Sequence, residues 1–248
     1  MLTTKLGGTG LTVSRLCLGT MTFGLQTDED GSRRILDTAA DAGVNFLDTA
    51  DVYPLGGGLA TVGRTEEIVG RWLVKKRDRF VLATKCVGKT GPAPWDQGAS
   101  RKHIIAALEA SLRRLQTDHV DLYQLHSDDP STPLDETLEA LDQVVRAGKV
   151  RYIGVSNFLA YRLARALGRA EARNLTKFAS VQPRYSLLFR EKTRRADRAR
   201  LTRLSRRGAS ARAAATSGRP RRRWPRTPRD SRAALRPRRA PPRCSCRH

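Results

Sequence analysis

The sequence predicts an α/β protein whose parallel strands form an incomplete (β/α)8 TIM-type barrel of about six strands. Between residues 15 and 182, short apolar runs alternate with longer segments in which apolar residues recur at helical spacing. This alternation is typical of right-handed β-α-β units in a parallel sheet. Five of the six predicted strands end in a polar side chain that can do chemistry. Because barrel enzymes build their active sites at the carboxyl ends of the strands, these strand ends favour a barrel.

The six strands are predicted from runs in which Leu, Val, Ile and Phe are frequent. In chain order they are Arg15–Gly19, Asn45–Asp48, Arg79–Lys85, Asp121–His126, Tyr152–Ser156 and Ala179–Gln182. An open doubly wound sheet has the same alternation of elements, and a Gly-x-Gly-x-x-Gly turn after the first strand would favour it. The sequence has no such turn there. The open sheet stays an alternative on this pattern alone.

Five helices are predicted between the strands. They are Ser32–Ala42, Glu66–Val74, Ser100–Leu115, Pro133–Ala147 and Leu159–Arg173. The third helix has the clearest pattern, because Ile104, Leu108 and Leu112 fall on one side of it. Pro133 in a first turn and Gly148 just past a helix end agree with the usual positions of these residues.

Four side chains near the strand ends form a set suited to donating a proton to a carbonyl group. Asp48, Lys85 and His126 end the second, third and fourth strands, and Tyr53 lies in the loop after Asp48. Tyrosine, with an ordinary pKa of about 10, is a weak acid at neutral pH. A neighbouring ammonium lowers the pKa of a tyrosine, and a carboxylate can hold that ammonium in place. An imidazole beside them can orient the carbonyl oxygen or relay the proton.

Six segments of the chain resemble the successive signatures of the aldo-keto reductases, in order and with sensible spacing. They are Gly19–Gly24, Phe46–Tyr53, Thr84–Lys85, Tyr123–His126, Gly154–Phe158 and Val181–Tyr185. The resemblance covers roughly residues 3–190. It implies an oxidoreductase that reduces an aldehyde or ketone to an alcohol, with NADPH as cofactor and a small carbonyl compound as substrate.

The resemblance also implies a role for each matching residue. Tyr53 matches the general acid, Asp48 and Lys85 match the partners that tune its pKa, and His126 matches the residue that orients the substrate. The residues that would contact the cofactor are Gly19, Thr20, Asp48, Ser156, Asn157 and Gln182. No metal is implied.

Each of these residues has a purely structural interpretation when it is taken alone. Asp48 can cap a turn, Lys85 can be a solvated strand end, and His126 can be a satisfied core histidine. Ser156 and Asn157 can form the N-cap of the following helix. Their joint occurrence in barrel order favours the catalytic interpretation.

The net charge of +23 is concentrated near the carboxyl end of the chain. Residues 191–248 carry 21 Lys and Arg against 3 Asp and Glu, whereas residues 1–190 carry 26 against 21. Residues 191–248 contain no Ile, Val, Phe, Tyr or Met, so they cannot bury enough apolar surface to offset the entropy of ordering. We therefore predict a truncated aldo-keto reductase barrel over 1–190 and a disordered, basic Arg/Ala/Pro-rich tail over 191–248.

Three interpretations of the tail stay open. A reading-frame shift in GC-rich DNA would yield Arg, Ala, Pro and Ser in this proportion. A basic arm would bind nucleic acid through its phosphates, although Trp224 is the one aromatic residue available for stacking on bases. The segment Cys244–His248 superficially resembles a metal site. We expect nucleic-acid binding, if any, to involve the tail alone.

The change of composition also affects the expected activity. Barrels commonly bind phosphate through the loops after strands seven and eight, so we expect weak NADPH binding and slow or absent turnover. A non-catalytic, cofactor-sensing binding module is the alternative function. Residues Met1–Lys5 resemble no secretory signal and no run of about 18 apolar residues occurs. We therefore expect a cytoplasmic protein without membrane contact; the sequence indicates no particular substrate or oligomeric state.

Overall fold

Two sheets and five α-helices make up residues 1–184, the part of the chain that the computed structural model describes. The strands are β1 (Thr3–Lys5), β2 (Thr12–Ser14), β3 (Leu18–Gly19), β4 (Phe46–Asp48), β5 (Val81–Cys86), β6 (Val120–Leu125), β7 (Val150–Ser156) and β8 (Ser180–Gln182). The helices are α1 (Glu29–Asp41), α2 (Arg64–Leu73), α3 (Arg101–Leu115), α4 (Leu134–Arg146) and α5 (Ala160–Ala172). The boundary predicted at Arg190, the tail over 191–248 and the metal pattern at Cys244–His248 lie outside the described residues.

Strands β3 to β8 form one parallel sheet in which each strand pairs with the next along the chain. The sheet curls into a half-barrel of six strands, so the predicted fold class is confirmed. A doubly wound sheet reverses its strand order at a switch point. The unbroken order from β3 to β8 excludes that alternative.

The first parallel strand is shorter than the predicted Arg15–Gly19, because β3 covers only Leu18–Gly19. The backbone N–H of Arg15 donates to the carbonyl of Leu2, so the residues before β3 are tied to the amino terminus and not to β4. The other predicted strands agree with β4 to β8 to within two residues at each end.

The amino terminus forms an antiparallel hairpin of β1 and β2 that the apolar pattern does not predict. Both strands are three residues long and mostly polar, which leaves almost no periodic signal. Leu6 and Val13 of the hairpin region are buried against Phe46, Val81 and Leu122 near the amino ends of the parallel strands. The hairpin therefore covers the end of the sheet opposite the predicted catalytic side chains.

The helices begin within three residues of their predicted starts, and side-chain caps explain where two of them begin. The Asp28 carboxylate accepts a hydrogen bond from the Gly31 N–H at 2.7 Å, so α1 starts earlier than predicted. Ser100 caps α3 in the same way through the N–H of His103. Within residues 1–184, no helix combines the length and apolar character needed to cross a bilayer.

The main core lies between the sheet and the helices. Its buried side chains include Leu47, Leu82, Tyr123 and Ile153 from the sheet, and Leu36, Ile68, Leu108, Leu141 and Leu163 from the helices. Since successive strand residues point to opposite faces, this packing leaves the alternate residues of each strand on the inner face of the half-barrel. The side chains of the predicted site belong to that inner face.

Candidate active site

The carboxyl ends of β4 to β8 bring most of the predicted site residues together. Asp48 and Ser156 end β4 and β7, Gln182 ends β8, and Lys85 is the second-last residue of β5. His126 directly follows β6. Because the strands are parallel, all five residues lie at the same end of the sheet.

Asp48 and Lys85 form a buried ion pair. The Nζ atom of Lys85 donates to Oδ2 of Asp48 at 2.7 Å and to the carbonyl oxygen of Thr49 at 2.8 Å. The Lys85 side chain is 2% exposed and that of Asp48 is 11% exposed. The interpretation of Lys85 as a solvated strand end is therefore wrong.

The Lys85 ammonium is stabilised by its neighbours in spite of its burial. Burial acts to lower the pKa of Lys85, but the negative charge of Asp48 and the hydroxyl of Tyr53 act in the opposite direction. The result is a pKa above the ordinary value for lysine. Lys85 is thus a fixed positive charge at neutral pH.

Tyr53 lies in the loop after β4 and is buried beside Lys85. The Nζ atom of Lys85 is 5.1 Å from the centre of the Tyr53 ring. We expect from the sequence that Lys85 lowers the pKa of Tyr53, and its charge does act in that direction. Burial is the larger influence, however, and Asp48 adds to it, so the pKa of Tyr53 is raised. Tyr53 therefore keeps its proton at neutral pH.

His126 packs edge-on against Tyr53, with ring centres 5.6 Å apart and an angle of 80° between the planes. Its backbone N–H donates to the carbonyl of Cys86, which fixes the chain just after β6. Burial, followed by the charge of Lys85, lowers the pKa of His126 to about 4. The imidazole is consequently neutral at neutral pH.

Ser156, Asn157 and Gln182 form a hydrogen-bonded group beside this set. The hydroxyl of Ser156 donates to the backbone carbonyl of Gln182 at 2.9 Å. The Nδ2 atom of Asn157 donates to Oγ of Ser156 at 3.0 Å and to the backbone carbonyl of His126 at 3.2 Å. The side chain of Gln182 donates to Oδ2 of Asp48 at 3.2 Å. Helix α5 begins at Ala160 after Leu159, so the interpretation of Ser156 and Asn157 as its N-cap is wrong.

Gly19 and Thr20 lie at the end of β3, next to Asp48. Thr20 donates to the carbonyl of Asp48 from both its backbone N–H and its hydroxyl, each at 3.0 Å. Gly19 pairs in register with Asp48, and a Cβ added to Gly19 would meet no heavy atom within 4 Å. Gly19 therefore borders open space beside the ion pair, whereas Thr20 is completely buried. The contact of either residue with a cofactor stays a prediction.

Two buried residues of the site region were not singled out from the sequence. Gln124 of β6 donates from Nε2 to Oδ1 of Asp48 at 3.1 Å. Its position two residues before His126 is the signal that places it on the same face of the strand. Asp51 is fully buried, and neither of its carboxylate oxygens has a hydrogen-bond partner among residues 1–184.

Asp51 is surrounded by groups that oppose one another. Burial, followed by the charge of Glu66, raises the pKa of Asp51 well above its ordinary value, whereas Arg114 and Lys85 act to lower it. The folded chain therefore binds the proton of Asp51 more tightly than the unfolded chain does. No local pattern in the sequence distinguishes this buried acid from the ordinary polar residues of a loop.

Comparison with known proteins connects this geometry to one family. The model of the Aldo/keto reductase family matches residues 15–207, a range that runs past the boundary predicted at Arg190. Uncharacterized oxidoreductase YrpG of Bacillus subtilis is 47% identical over 194 residues, which cover 75% of this chain and 59% of the relative.

Two further relatives have different names. Protein tas of Escherichia coli is 41% identical over 204 residues, covering 73% of this chain and 59% of the relative. A probable voltage-gated potassium channel subunit beta of Arabidopsis thaliana is 40% identical over 192 residues, covering 76% and 56%. The chain thus spans less than two thirds of the length of each of these relatives.

Proposed function

The chain belongs to the aldo/keto reductase family, and we propose that it reduces an aldehyde or a ketone to an alcohol with NADPH as the hydride source. One observation carries the proposal: Lys85 is bound to Asp48 at 2.7 Å and lies 5.1 Å from the centre of the Tyr53 ring. A proton donor, a cation and the carboxylate that holds the cation thus occur together at the strand ends. The name of the relative YrpG, an oxidoreductase, supports the same reaction class.

Tyr53 is the proposed proton donor. Its hydroxyl gives its proton to the carbonyl oxygen as negative charge develops there, and this forms the O–H bond of the alcohol. Because burial raises the pKa of Tyr53, the phenol is protonated before the transfer. Lys85 acts in the opposite direction and stabilises the phenolate that remains after the transfer.

His126 is proposed to orient the carbonyl oxygen and not to protonate it. With a pKa of about 4, the imidazole is neutral at neutral pH and offers one N–H donor and one acceptor nitrogen. Its edge-on packing against Tyr53 keeps the ring next to the proton donor. A carbonyl oxygen that reaches both the Tyr53 hydroxyl and the His126 N–H would receive a hydrogen bond from each.

Gln182, Ser156 and Asn157 fit the carboxamide of a nicotinamide ring. Oε1 of Gln182 is a buried acceptor without a partner among residues 1–184, and an amide NH2 is a suitable donor for it. Gly19, which pairs in register with Asp48, borders open space, and the buried Thr20 beside it holds the backbone carbonyl of Asp48. When bound, the nicotinamide supplies the hydride that reduces the carbonyl carbon.

We expect NADPH binding to be weak and turnover to be slow in the chain as written. Barrels commonly hold phosphate groups through loops after the seventh and eighth strands. Residues 191–248 contain 21 Lys and Arg but no Ile, Val, Phe, Tyr or Met, so their composition does not suit buried barrel strands. The test of function must therefore detect a slow reaction.

The purified full chain is compared with its Y53F variant and with Y161F as a control. Tyr161 lies on α5 and is 67% exposed, so the same atom is removed there without touching the site. Alcohol formation from a panel of aldehydes and ketones is measured chromatographically, with enzyme and NADPH both at high concentration. We expect Y53F to lower the rate at least about 100-fold and Y161F to leave it unchanged. Equal rates for Y53F and the parent chain would contradict the proposal.

A non-catalytic binding module is the second candidate, because one relative is named as a probable potassium channel subunit beta. This candidate predicts that the parent chain binds NADPH but forms no alcohol from any compound of the panel. Calorimetric titration with NADPH distinguishes the two candidates when it is combined with the alcohol assay. In both cases Y53F is expected to retain the cofactor affinity of the parent chain.

A further inference from the structure

Gln124 is a buried polar residue of the proposed site, and its side-chain amide donates a hydrogen bond to Asp48. It is 3% exposed and lies on β6, where it pairs in register with Lys85 of β5 and Gly154 of β7. Its side chain points to the same face as His126, two residues further along the chain. It thus lies beside Lys85 in the sheet and shares a strand face with the histidine of the proposed site.

The two oxygens of the Asp48 carboxylate accept hydrogen bonds from different donors. Oδ1 accepts a hydrogen bond from Nε2 of Gln124 at 3.1 Å. Oδ2 accepts from Lys85 at 2.7 Å and from Gln182 at 3.2 Å. A carboxylate paired with an ammonium only accepts hydrogen bonds, so the NH2 group of Gln124 must face it. With Oδ1 held by Gln124, Oδ2 stays directed at the ammonium.

The neighbouring strand leaves room for this arrangement. Gly154 lies beside Gln124 in the sheet, and a Cβ at Gly154 would approach Cγ of Gln124 to 3.2 Å and Oγ of Ser180 to 2.4 Å. A larger residue at 154 would therefore displace the Gln124 side chain or Ser180. The sequence of β7 thus permits the contact between Gln124 and Asp48.

We propose that Gln124 is a positioning residue, which fixes the rotation of the Asp48 carboxylate and thereby the place of the Lys85 ammonium beside Tyr53. The role rests on the proposed reductase function, in which Lys85 stabilises the tyrosine oxygen. Gln124 itself needs no contact with substrate or cofactor. Its effect is expected on the rate of the chemical step and not on the binding of the carbonyl compound.

Two substitutions of Gln124 separate its hydrogen bond from its volume. Q124M keeps an unbranched side chain of similar length but has no N–H donor. Q124E keeps the shape and can donate to Asp48 only while the introduced carboxyl is protonated. Q143E and Q143M are matched controls, because Gln143 lies on α4, is exposed and bonds to Arg101 on the surface.

The pH profile of turnover is the first readout. We expect Q124M to lower kcat about tenfold at every pH, the effect of losing one hydrogen bond to a charged group, with KM for the carbonyl compound unchanged. Q124E is expected to approach the parent rate at low pH and to fall to the Q124M rate as the pH rises. A role in packing alone would leave the kcat of Q124M at the parent value, because methionine keeps the volume of the side chain and removes only the N–H donor.

Thermal unfolding is the second readout, and it does not depend on turnover. The introduced carboxyl is buried beside Asp48, so its pKa in the folded chain must lie above the value of about 4.3 for an unfolded glutamate. Its favourable contribution is therefore complete below that value and is lost as the pH rises through the folded value. The midpoint of Q124E should drop progressively below that of the parent, whereas Q124M should stay at a constant offset.

The two readouts keep the role of Gln124 separate from the proposed function. If the parent chain forms no alcohol, the reductase proposal fails, while the offset of the Q124M unfolding midpoint below that of the parent still tests the hydrogen bond that Gln124 donates to Asp48. If the parent turns over through Tyr53 but Q124M matches its kcat, the positioning role is overturned and the reductase function stands. Identical pH dependence of unfolding for Q124E and Q124M would also overturn it.

Discussion

A buried carboxylate is bound on each of the two faces of strand β5, and the groups that bind it come from different secondary-structure elements. On the inner face, Lys85 binds Asp48, which also receives hydrogen bonds from residues of β6 and β8. On the outer face, the hydroxyl of Thr84 donates to Oε1 of Glu66 at 2.5 Å, and Arg114 pairs with Oε2 at 2.7 Å. Glu66 is completely buried.

The difference indicates that the adjacent residues Thr84 and Lys85 have different roles. The inner pair is assembled from strand ends and lies beside Tyr53 and His126, so it can act on a bound molecule. The outer group connects β5 with α2 and α3 and lies inside the layer between sheet and helices. We infer that the inner group serves the proposed reaction and that the outer group stabilises the fold. The following substitutions test that separation.

Removal of Arg114 should have the largest effect on stability. R114M leaves the charge of Glu66 buried without its ion-pair partner, so the free energy of unfolding should fall by about 3–5 kcal/mol. The matched control is R113M, the same change one residue earlier at an exposed position of α3, where we expect less than about 0.5 kcal/mol. Urea denaturation followed by circular dichroism measures both.

A double variant tests the same ion pair if R114M does not fold. E66M/R114M replaces both partners by apolar side chains, a change that is often neutral for buried ion pairs. We expect it to recover most of the stability lost in R114M. Equal stability of R114M and R113M would mean that the outer group contributes little to the fold.

The pKa of Asp51 depends on charged groups of both faces of β5, since Glu66 and Arg114 belong to the outer group and Lys85 to the inner one. The free energy of unfolding should therefore change with pH as Asp51 titrates. Its pKa is raised in the folded chain by burial and then by Glu66, so its favourable contribution is complete below about pH 3.9 and is lost as the pH rises. D51N removes this titration. The stability of the parent should fall relative to D51N by about 1.4 kcal/mol per pH unit above that value, until the folded pKa is reached.

Chemical denaturation of the parent and D51N at a series of pH values measures this difference. D41N serves as a control for the loss of one carboxylate, because Asp41 is exposed at the end of α1. Parallel curves of stability against pH for the parent and D51N would show that Asp51 is already ionised in the folded chain.

His126 should produce the opposite pH dependence on the inner face. Its folded pKa of about 4 lies below the ordinary value of about 6.5, so its contribution is present above pH 6.5 and is lost as the pH falls toward 4. Over that window the loss should reach at most about 3 kcal/mol. H126N should make the stability less dependent on pH between those values, as measured by denaturation; an unchanged slope would contradict the neutral imidazole.

The sequence predicts the inner group far better than the outer one. Asp48, Lys85, His126, Ser156 and Gln182 each occur at or next to a strand end, a position that an apolar run marks directly. No comparable sequence pattern indicates the residues of the outer group, Thr84, Glu66 and Arg114. They lie on three different elements, and only the packing of α2 and α3 on the sheet brings them together.

The same reasoning explains the other differences between prediction and structure. The hairpin of β1 and β2 was missed because short polar strands have no apolar period. The direction of the pKa shift of Tyr53 was missed because neighbours along the chain indicate charge but not burial. Gln124 was detectable in principle, since it shares a strand face with His126, but one polar residue in an apolar strand does not by itself indicate a contact.

Thr84 gives the smallest and sharpest test of the separation, because it is the direct neighbour of Lys85. T84V keeps the shape of the side chain and removes the hydrogen bond to Glu66, so the free energy of unfolding should fall by about 1.5 kcal/mol. T84S keeps the hydroxyl and should restore most of that loss. Because the two side chains point to opposite faces, the kcat and KM of folded T84V should match those of the parent chain. A slower turnover in T84V but not in T84S would mean that the outer group also positions Lys85, and that the two faces of β5 act as one unit.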